Sequence, residues 1–126
     1  MRIASLDHLV LTVTDLDRTL EFYRDVLGME EVRFGEGRVA LAFGSQKINL
    51  HRSGQEFEPK AARVMVGSGD LCFIVTTALE RVAAELGAAG IPVEAGPVHR
   101  TGATGPLLSL YVRDPDGNLI ELANRA

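Results

Sequence analysis

The sequence lacks several features that mark whole classes of proteins. It has one cysteine in 126 residues, which excludes an internal disulfide and fits a reducing compartment. Its 13 Lys and Arg against 17 Asp and Glu give a net charge of −4, which offers no basic surface to nucleic acid. No apolar run approaches the roughly 18 residues that a membrane-spanning helix needs, and residues 1–5 carry no apolar signal-peptide stretch. We therefore expect a soluble cytoplasmic protein that binds neither nucleic acid nor membrane.

What the sequence does have is an internal repeat. Residues 8–13 (HLVLTV) align with residues 70–75 (DLCFIV) at an offset of 62. Farther along, the offset grows to 72, so that residues 48–50 (INL) align with residues 120–122 (IEL). Self-similarity at a fixed offset indicates two copies of one structural unit, and a chain of this length is long enough to bury a core as one domain.

Each copy is predicted to fold as a β-α-β-β-β module. In the first module, apolar and polar residues alternate up to Val13, Asp15 offers a helix N-cap, and Gly28 stops the helix. The same order restarts at Asp70. The predicted strands are 6–13, 30–34, 38–43, 47–51, 70–76, 93–94, 107–113 and 119–123, and the predicted helices are 16–27 and 79–86.

The fold class is therefore predicted as α+β, in which two βαβββ modules form a curled, barrel-like mixed sheet with helices outside. We predict a single domain over residues 1–126, with modules at 6–52 and 70–124 and a linker at 53–69. The ten extra residues of the second module fall around residues 96–105, a stretch rich in Gly, Pro and Thr that is predicted as a loop over the pocket.

Polar side chains recur at matching positions of these strands. Because alternate strand residues share a face, one face would collect polar side chains from four strands: His8, Asn49 or His51, Asp70 and Glu121. Glu121 has apolar neighbours and is costly to bury unless it is paired or binds a metal. Imidazole and carboxylate together suit a borderline or hard divalent ion. Simpler interpretations stay open, in which His8 and Glu121 face solvent and Asp70 caps backbone amides.

Three stretches resemble one known family. Residues 6–13 (LDHLVLTV), 22–29 (FYRDVLGM) and 111–122 (YVRDPDGNLIEL) are similar to the vicinal oxygen chelate superfamily, also known as the glyoxalase/bleomycin resistance/dioxygenase group. With the two modules themselves, the resemblance covers nearly the whole chain. It implies a divalent metal ion (zinc, nickel, manganese or iron) that holds two oxygens of a substrate, with His8 and Glu121 at the family's first-strand and last-strand ligand positions.

The chain departs from the family's ligand pattern at two positions. Where glyoxalase-like members have Glu and His on their fourth and fifth strands, this chain has Asn49 and Asp70. His51 lies two residues past Asn49 on the same face, and it could supply an imidazole. We predict His8, His51 and Glu121 as the metal ligands, with Asp70 as the competing third ligand.

The function implied is that of a divalent-metal-dependent enzyme acting on a small oxygenated substrate, by isomerase, lyase or related chemistry, with Glu121 moving a proton. The predicted substrate-binding residues are Asn49, Asp70, Arg100, Ser109 and Tyr111. The alternative is a metal-free protein that binds a drug or another small molecule, although the aromatic content of 6% is low for stacking. A third possibility is a regulatory scaffold. Family members are commonly dimers, so we expect a homodimer.

Overall fold

The computed structural model describes all 126 residues and confirms the predicted α+β fold class. Eight strands and two α-helices follow the order βαβββ twice. The chain divides into two compact units, Met1–Val66 and Gly67–Ala126, and each unit contains one four-stranded mixed sheet. No helix has both the length and the apolar character needed to cross a membrane.

The first unit is a strand, a helix and a three-stranded meander. Its elements are β1 (His8–Val13), α1 (Leu16–Leu20), a π-helical segment (Glu21–Val26), β2 (Glu30–Phe34), β3 (Arg38–Phe43) and β4 (Gln46–Arg52). The strand order is β1-β4-β3-β2, in which β1 runs parallel to β4 and the other neighbours are antiparallel. Tight turns connect antiparallel strands, whereas the parallel pair needs the longer connection that contains the helix.

The helical segment of the first unit begins at Leu16 as predicted, but only its first half, Leu16–Leu20, is α-helical, and Glu21–Val26 is π-helical. The Asp15 side chain accepts a hydrogen bond from the backbone N–H of Arg18 at 3.1 Å, so Asp15 caps α1. After the π-helical segment, Gly28 turns the chain with a φ of 79°, which a residue with a Cβ rarely adopts. The buried helix residues and one face of the sheet form the core of this unit: Leu11, Val13, Leu20, Phe22, Tyr23, Val39, Leu41, Ile48 and Leu50.

The second unit repeats this plan. Its elements are β5 (Asp70–Ile74), α2 (Leu79–Ala88), β6 (Ala95–Gly102), β7 (Gly105–Arg113) and β8 (Leu119–Arg125). The strand order is β5-β8-β7-β6, and β5 runs parallel to β8. Its buried apolar side chains are Leu79, Val82, Leu86, Leu107, Leu110, Val112, Ile120, Leu122 and Ala123.

The predicted loop at residues 96–105 is wrong, because this stretch belongs to a long β-hairpin. Strands β6 and β7 pair up to Gly102 and Gly105, which leaves a two-residue turn between them. A Cβ on Gly102 would lie 2.8 Å from the Gly105 backbone oxygen, so the close approach of the strands requires glycine there. The Gly and Pro content was interpreted as a sign of a loop, whereas the glycines serve a hairpin turn.

The turn between β7 and β8 fixes the start of both parallel strands. The Asp114 carboxylate accepts hydrogen bonds from the backbone N–H groups of Asp116 and Asn118, both at 2.9 Å, and from the Asn118 side chain at 2.7 Å. The Asn118 side-chain oxygen in turn accepts from the Gly69 backbone N–H at 2.6 Å. Asp114 and Asn118 are buried, so this turn sets where β5 meets β8.

The strand register reproduces the offsets of the sequence repeat. Val10 pairs with Asn49 in the first unit, and Cys72 pairs with Glu121 in the second. Cys72 lies 62 residues after Val10, and Glu121 lies 72 residues after Asn49. Asn49 and Glu121 are therefore equivalent positions of two equivalent parallel strand pairs.

Candidate functional site

The second unit carries a polar face on the side of its sheet that bears Glu121. We define this face by Cys72, Ser109, Tyr111 and Glu121. Cys72, Glu121 and Tyr111 are neighbours across the adjacent strands β5, β8 and β7, and Ser109 lies two residues from Tyr111 on the same face. Glu121 and Tyr111 are half-buried, and Ser109 is fully buried.

The Glu121 carboxylate is held by a short hydrogen bond. The Ser109 hydroxyl donates to Glu121 Oε2 at 2.6 Å, which is near the short end for a hydroxyl on a carboxylate. Since Ser109 is buried, it has no water to compete for this bond. One carboxylate oxygen is therefore fixed, and Oε1 is the oxygen left to a substrate or to the neighbouring thiol.

Cys72 is a residue of this face that the sequence did not single out as a site residue. Desolvation, followed by the charge of Glu121 and a hydrogen bond to it, raises the pKa of Cys72 to about 11. The thiol therefore stays protonated at neutral pH and is a poor nucleophile. The repeat could have pointed to it, because Cys72 pairs with the candidate catalytic residue.

Arg100 and Tyr111 form a second contact beside the carboxylate. The Arg100 Nε donates to the Tyr111 hydroxyl at 2.9 Å, and the guanidinium carbon lies 5.4 Å from the centre of the Tyr111 ring. Tyr111 in turn pairs with Glu121 across the strands. The second unit thus brings together four of the predicted site residues: Arg100, Ser109, Tyr111 and Glu121.

Asp70 lies on the same side of the sheet but one step away. It is the first residue of β5 and pairs with Leu119, two residues before the pair of Cys72 and Glu121. Asp70 is exposed, and its charge acts on Arg113, whose guanidinium pairs with Glu94 at 3.0 Å. Its predicted substrate-binding role stays a prediction.

The first unit places its two predicted histidine ligands far apart. His8 pairs with Lys47, whereas His51 pairs with Thr12, four residues farther along the same pair of parallel strands. At about 3.3 Å per residue this offset is about 13 Å, which exceeds the separation of two ligands on one ion. The structure does not bring His8 and His51 together.

The surroundings of the two histidines also differ. His8 is exposed, and its Nδ1 lies 2.8 Å from the Asp7 carboxylate. His51 is buried, with its ring edge-on to Phe57 at 5.5 Å between centroids. Burial, followed by the charge of Arg38, lowers the pKa of His51. His51 is therefore a neutral, packed imidazole at neutral pH.

The arrangement of the side chains does not fit a three-ligand metal centre. The chain contains no group of three or more His, Cys, Asp or Glu side chains that could hold an ion. Structural and catalytic zinc sites use at least three protein ligands. The ligand roles of His8, His51 and Glu121 stay predictions.

The first unit has a polar face of its own, which we define by Arg38, Lys47, Asn49 and His51. Asn49 is a neighbour of Ala40 on β3, and Lys47 and His51 flank it on β4. The side-chain oxygen Oδ1 of Asn49 is buried and has no hydrogen-bond partner. Leaving a buried acceptor unpaired costs about 1–3 kcal/mol. A contribution to folding stability therefore does not explain why an asparagine is present at position 49.

Two cations on this face are packed against aromatic rings. The Arg38 guanidinium carbon lies 4.5 Å from the centre of the Phe57 ring and 5.7 Å from that of Phe34. Lys47 Nζ lies 3.9 Å from the centre of the Phe34 ring. Sequence reasoning missed Arg38 and Lys47, although both lie on the face of Asn49 once the strand bounds are known.

The family is shown by a match over nearly the whole chain. Residues 5–122 match the Glyoxalase/Bleomycin resistance protein/Dioxygenase superfamily, and the strand order of both units agrees with the βαβββ plan predicted for it. The chain belongs to this superfamily, as the resemblance of its sequence motifs predicted.

Similar proteins give further detail. The chain is 56% identical over 123 residues to the virulence protein STM3117 of Salmonella typhimurium, which is 98% of this chain and 85% of that protein. Its fold is similar to that of integron cassette protein VCH_CASS1 from the mobile metagenome of V. cholerae, with a TM-score of 0.97 and 56% identity over 100% of this chain and 98% of that one. It is also 32% identical over 128 residues to the lactoylglutathione lyase of Haemophilus influenzae, which is 90% of this chain and 87% of that protein.

Proposed function

We propose that the chain is an enzyme that moves a proton on a small oxygenated substrate, with Glu121 as the group that takes and returns the proton. The observation that carries this proposal is the Glu121 carboxylate, half-buried and fixed through one oxygen by the buried Ser109. A carboxylate that is held in one position is suited to general acid–base catalysis.

The neighbouring groups have roles that follow from their contacts. Ser109 orients the carboxylate, so it is a positioning residue. The Tyr111 hydroxyl, which accepts from Arg100, is able to donate its own proton to a substrate oxygen. Such a donor stabilises negative charge that develops on an oxygen when a neighbouring carbon loses a proton. The similarity to a lactoylglutathione lyase supports chemistry of the lyase class.

Metal dependence is the second part of the proposal. Its support is the superfamily membership together with His8 and Glu121, the two positions at which this chain keeps the ligand types that the family resemblance implies. A bound divalent ion would supply a Lewis acid for an oxyanion. Because no three-ligand group is present, we test the ion separately from the proton transfer.

Proton transfer is tested by solvent exchange. A panel of small α-hydroxy carbonyl compounds is incubated with the protein in D₂O, and deuterium incorporation at carbon is followed by NMR. We expect Glu121→Gln to slow exchange by roughly 10²-fold or more, because the amide cannot take a proton. The control Glu80→Gln removes the same charge from the exposed first turn of α2 and should leave the rate unchanged. Equal rates in Glu121→Gln and wild type would overturn the assignment.

The metal is tested on protein purified without a chelator. We expect about one divalent ion per chain by elemental analysis and its loss in the His8→Ala and Glu121→Ala variants. Full metal content in both variants would refute this ligand pair. Absence of the ion in wild type, together with ligand binding that survives EDTA, would favour the alternative of a metal-free binding protein. The lack of a three-ligand group is the observation that keeps this alternative.

A further inference from the structure

We propose that the polar face of the first unit binds a small hydroxy acid, with Arg38 and Lys47 attracting its carboxylate and the Asn49 side-chain oxygen accepting from its hydroxyl. This site lies within the first unit and uses none of the residues Ser109, Tyr111 and Glu121. Its failure would leave the proton-transfer proposal untouched, because the two proposals are tested on different residues.

The two cations of this face have no ion-pair partner. Arg38 and Lys47 are half-buried, yet neither takes part in an ion pair, although the chain contains seven such pairs elsewhere. Their charges lie against the rings of Phe34 and Phe57. A half-buried cation without a counter-ion is a strong attractor for an anion, and the fork of an arginine fits a carboxylate in particular.

The two cations and Asn49 lie within reach of one small molecule. Arg38 and Lys47 both contact the Phe34 ring, at 5.7 and 3.9 Å from its centre. The sum of these two distances places the guanidinium carbon and the ammonium nitrogen less than 10 Å apart. The strand register places Asn49 between the levels of these two residues on the same face, because Ala40 pairs with Asn49 and Ala42 pairs with Lys47. A ligand of a few carbon atoms can therefore reach a cation and Asn49 together.

Two buried acceptor atoms of the first unit have no hydrogen-bond partner. Asn49 Oδ1 and Glu56 Oε2 are the buried side-chain atoms of the chain that have no partner. Both are acceptors, and Glu56 acts electrostatically on His51, the neighbour of Asn49 on this face. An acceptor is satisfied by a donor, and a carboxylate alone brings none. A ligand that carries hydroxyl groups beside its carboxylate satisfies both the cations and the acceptors.

The probe is glycerate, which carries one carboxylate and two hydroxyls on three carbons. Propanoate keeps the carboxylate without the hydroxyls, and glycerol keeps the hydroxyls without the carboxylate. Each is titrated into ¹⁵N-labelled protein, and backbone amide shifts are followed by NMR. We expect saturable shifts on β3 and β4, with glycerate binding more tightly than propanoate and glycerol showing no saturation. Equal affinity for glycerate and propanoate would overturn the role of the acceptors.

Two variants separate the groups. Arg38→Gln should lower the affinity for both glycerate and propanoate by roughly tenfold, since each ligand loses a charge-assisted hydrogen bond. Asn49→Leu should reduce the affinity for glycerate to that for propanoate, and it should leave the affinity for propanoate unchanged. Arg52→Gln is the matched control, because it removes the same charge from an exposed residue of β4. An equal loss in Arg52→Gln and Arg38→Gln would show diffuse electrostatics and refute the site.

Folding of the variants is checked by circular dichroism before titration. If Arg38→Gln does not fold, Arg38→Lys keeps the charge and loses the fork, and a weaker affinity for both acids is expected. Wild-type affinity in Arg38→Lys together with unchanged affinity in a Lys47→Gln variant would exclude the arginine fork and the lysine charge as determinants of binding and overturn the proposal.

Discussion

Replacing Asn118 by alanine should destabilise the protein far more than the same change at Asn49. Asn118 is 1% exposed, accepts from the Gly69 backbone N–H at 2.6 Å and donates to Asp114 Oδ2 at 2.7 Å. Asp114 lies in the turn before β8, and Gly69 directly precedes β5. Asn118→Ala removes both of these hydrogen bonds.

The expected size follows from these two lost bonds. A lost hydrogen bond costs about 0.5–1.5 kcal/mol, and one to a charged group costs about 1.5–3 kcal/mol, which gives about 2–4 kcal/mol for Asn118→Ala. Asn49→Ala removes an oxygen that has no partner, so its cost should stay below about 1 kcal/mol by the same rule. The two substitutions remove the same atoms, and they differ in what those atoms contact.

The measurement is urea unfolding followed by circular dichroism, with the free energy of unfolding extrapolated to water. The midpoint of Asn118→Ala should fall at an unchanged slope, and that of Asn49→Ala should stay near wild type. A loss below about 1 kcal/mol for Asn118→Ala, or equal losses in the two variants, would refute the energetic role assigned to the turn.

Three further predictions concern single side chains. Because the pKa of Cys72 is raised to about 11, its alkylation by iodoacetamide should be slow at pH 7 and should still accelerate above pH 9; a plateau near pH 8.5, the pKa of an ordinary thiol, would contradict this. Gly67→Ala should destabilise more than Gly54→Ala in the same unfolding assay, since both have positive φ but only Gly67 would put a Cβ 2.6 Å from a backbone oxygen; equal losses would show that the contact relaxes freely. Burial, followed by the charge of Arg38, lowers the pKa of His51, so the folded state binds fewer protons than the unfolded state. The contribution of neutral His51 to the free energy of unfolding is therefore present above about pH 6.5 and lost below it. His51→Gln should flatten the fall in unfolding free energy between pH 7 and pH 5, and an unchanged slope would contradict the assignment.

The sequence was sufficient for the repeat and for most of the strands. Alternation and turn residues predicted β2 and β3 with their observed bounds. The offsets of 62 and 72 predicted which residues would be equivalent, and the pairs of Val10 with Asn49 and Cys72 with Glu121 confirm them. These features depend on local or periodic patterns of residues, so the sequence alone is enough to predict them.

The sequence was not sufficient for contacts that depend on register and side-chain reach. Residues 96–105 look like a loop by composition, and pairing with β7 makes them a strand. His51 and His8 share the side of the sheet that alternation predicts, but only the parallel register shows that they are four residues apart. Arg38 and Lys47 are ordinary charged residues in sequence, and their contacts with Phe34 arise from side chains reaching across strands.

The π-helical segment is a difference between the two otherwise similar units. Both helices end at a glycine with positive φ, Gly28 and Gly90, which lie 62 residues apart. Between the first strand and that glycine, five α-helical and six π-helical residues in the first unit correspond to ten residues of α2 in the second. A π-helical turn holds one more residue than an α-helical turn of the same kind. Because the offset is 62 on both sides of the helix, the two units have the same number of residues between strand and glycine, and the wider π-helical turn changes only how that length of chain is wound.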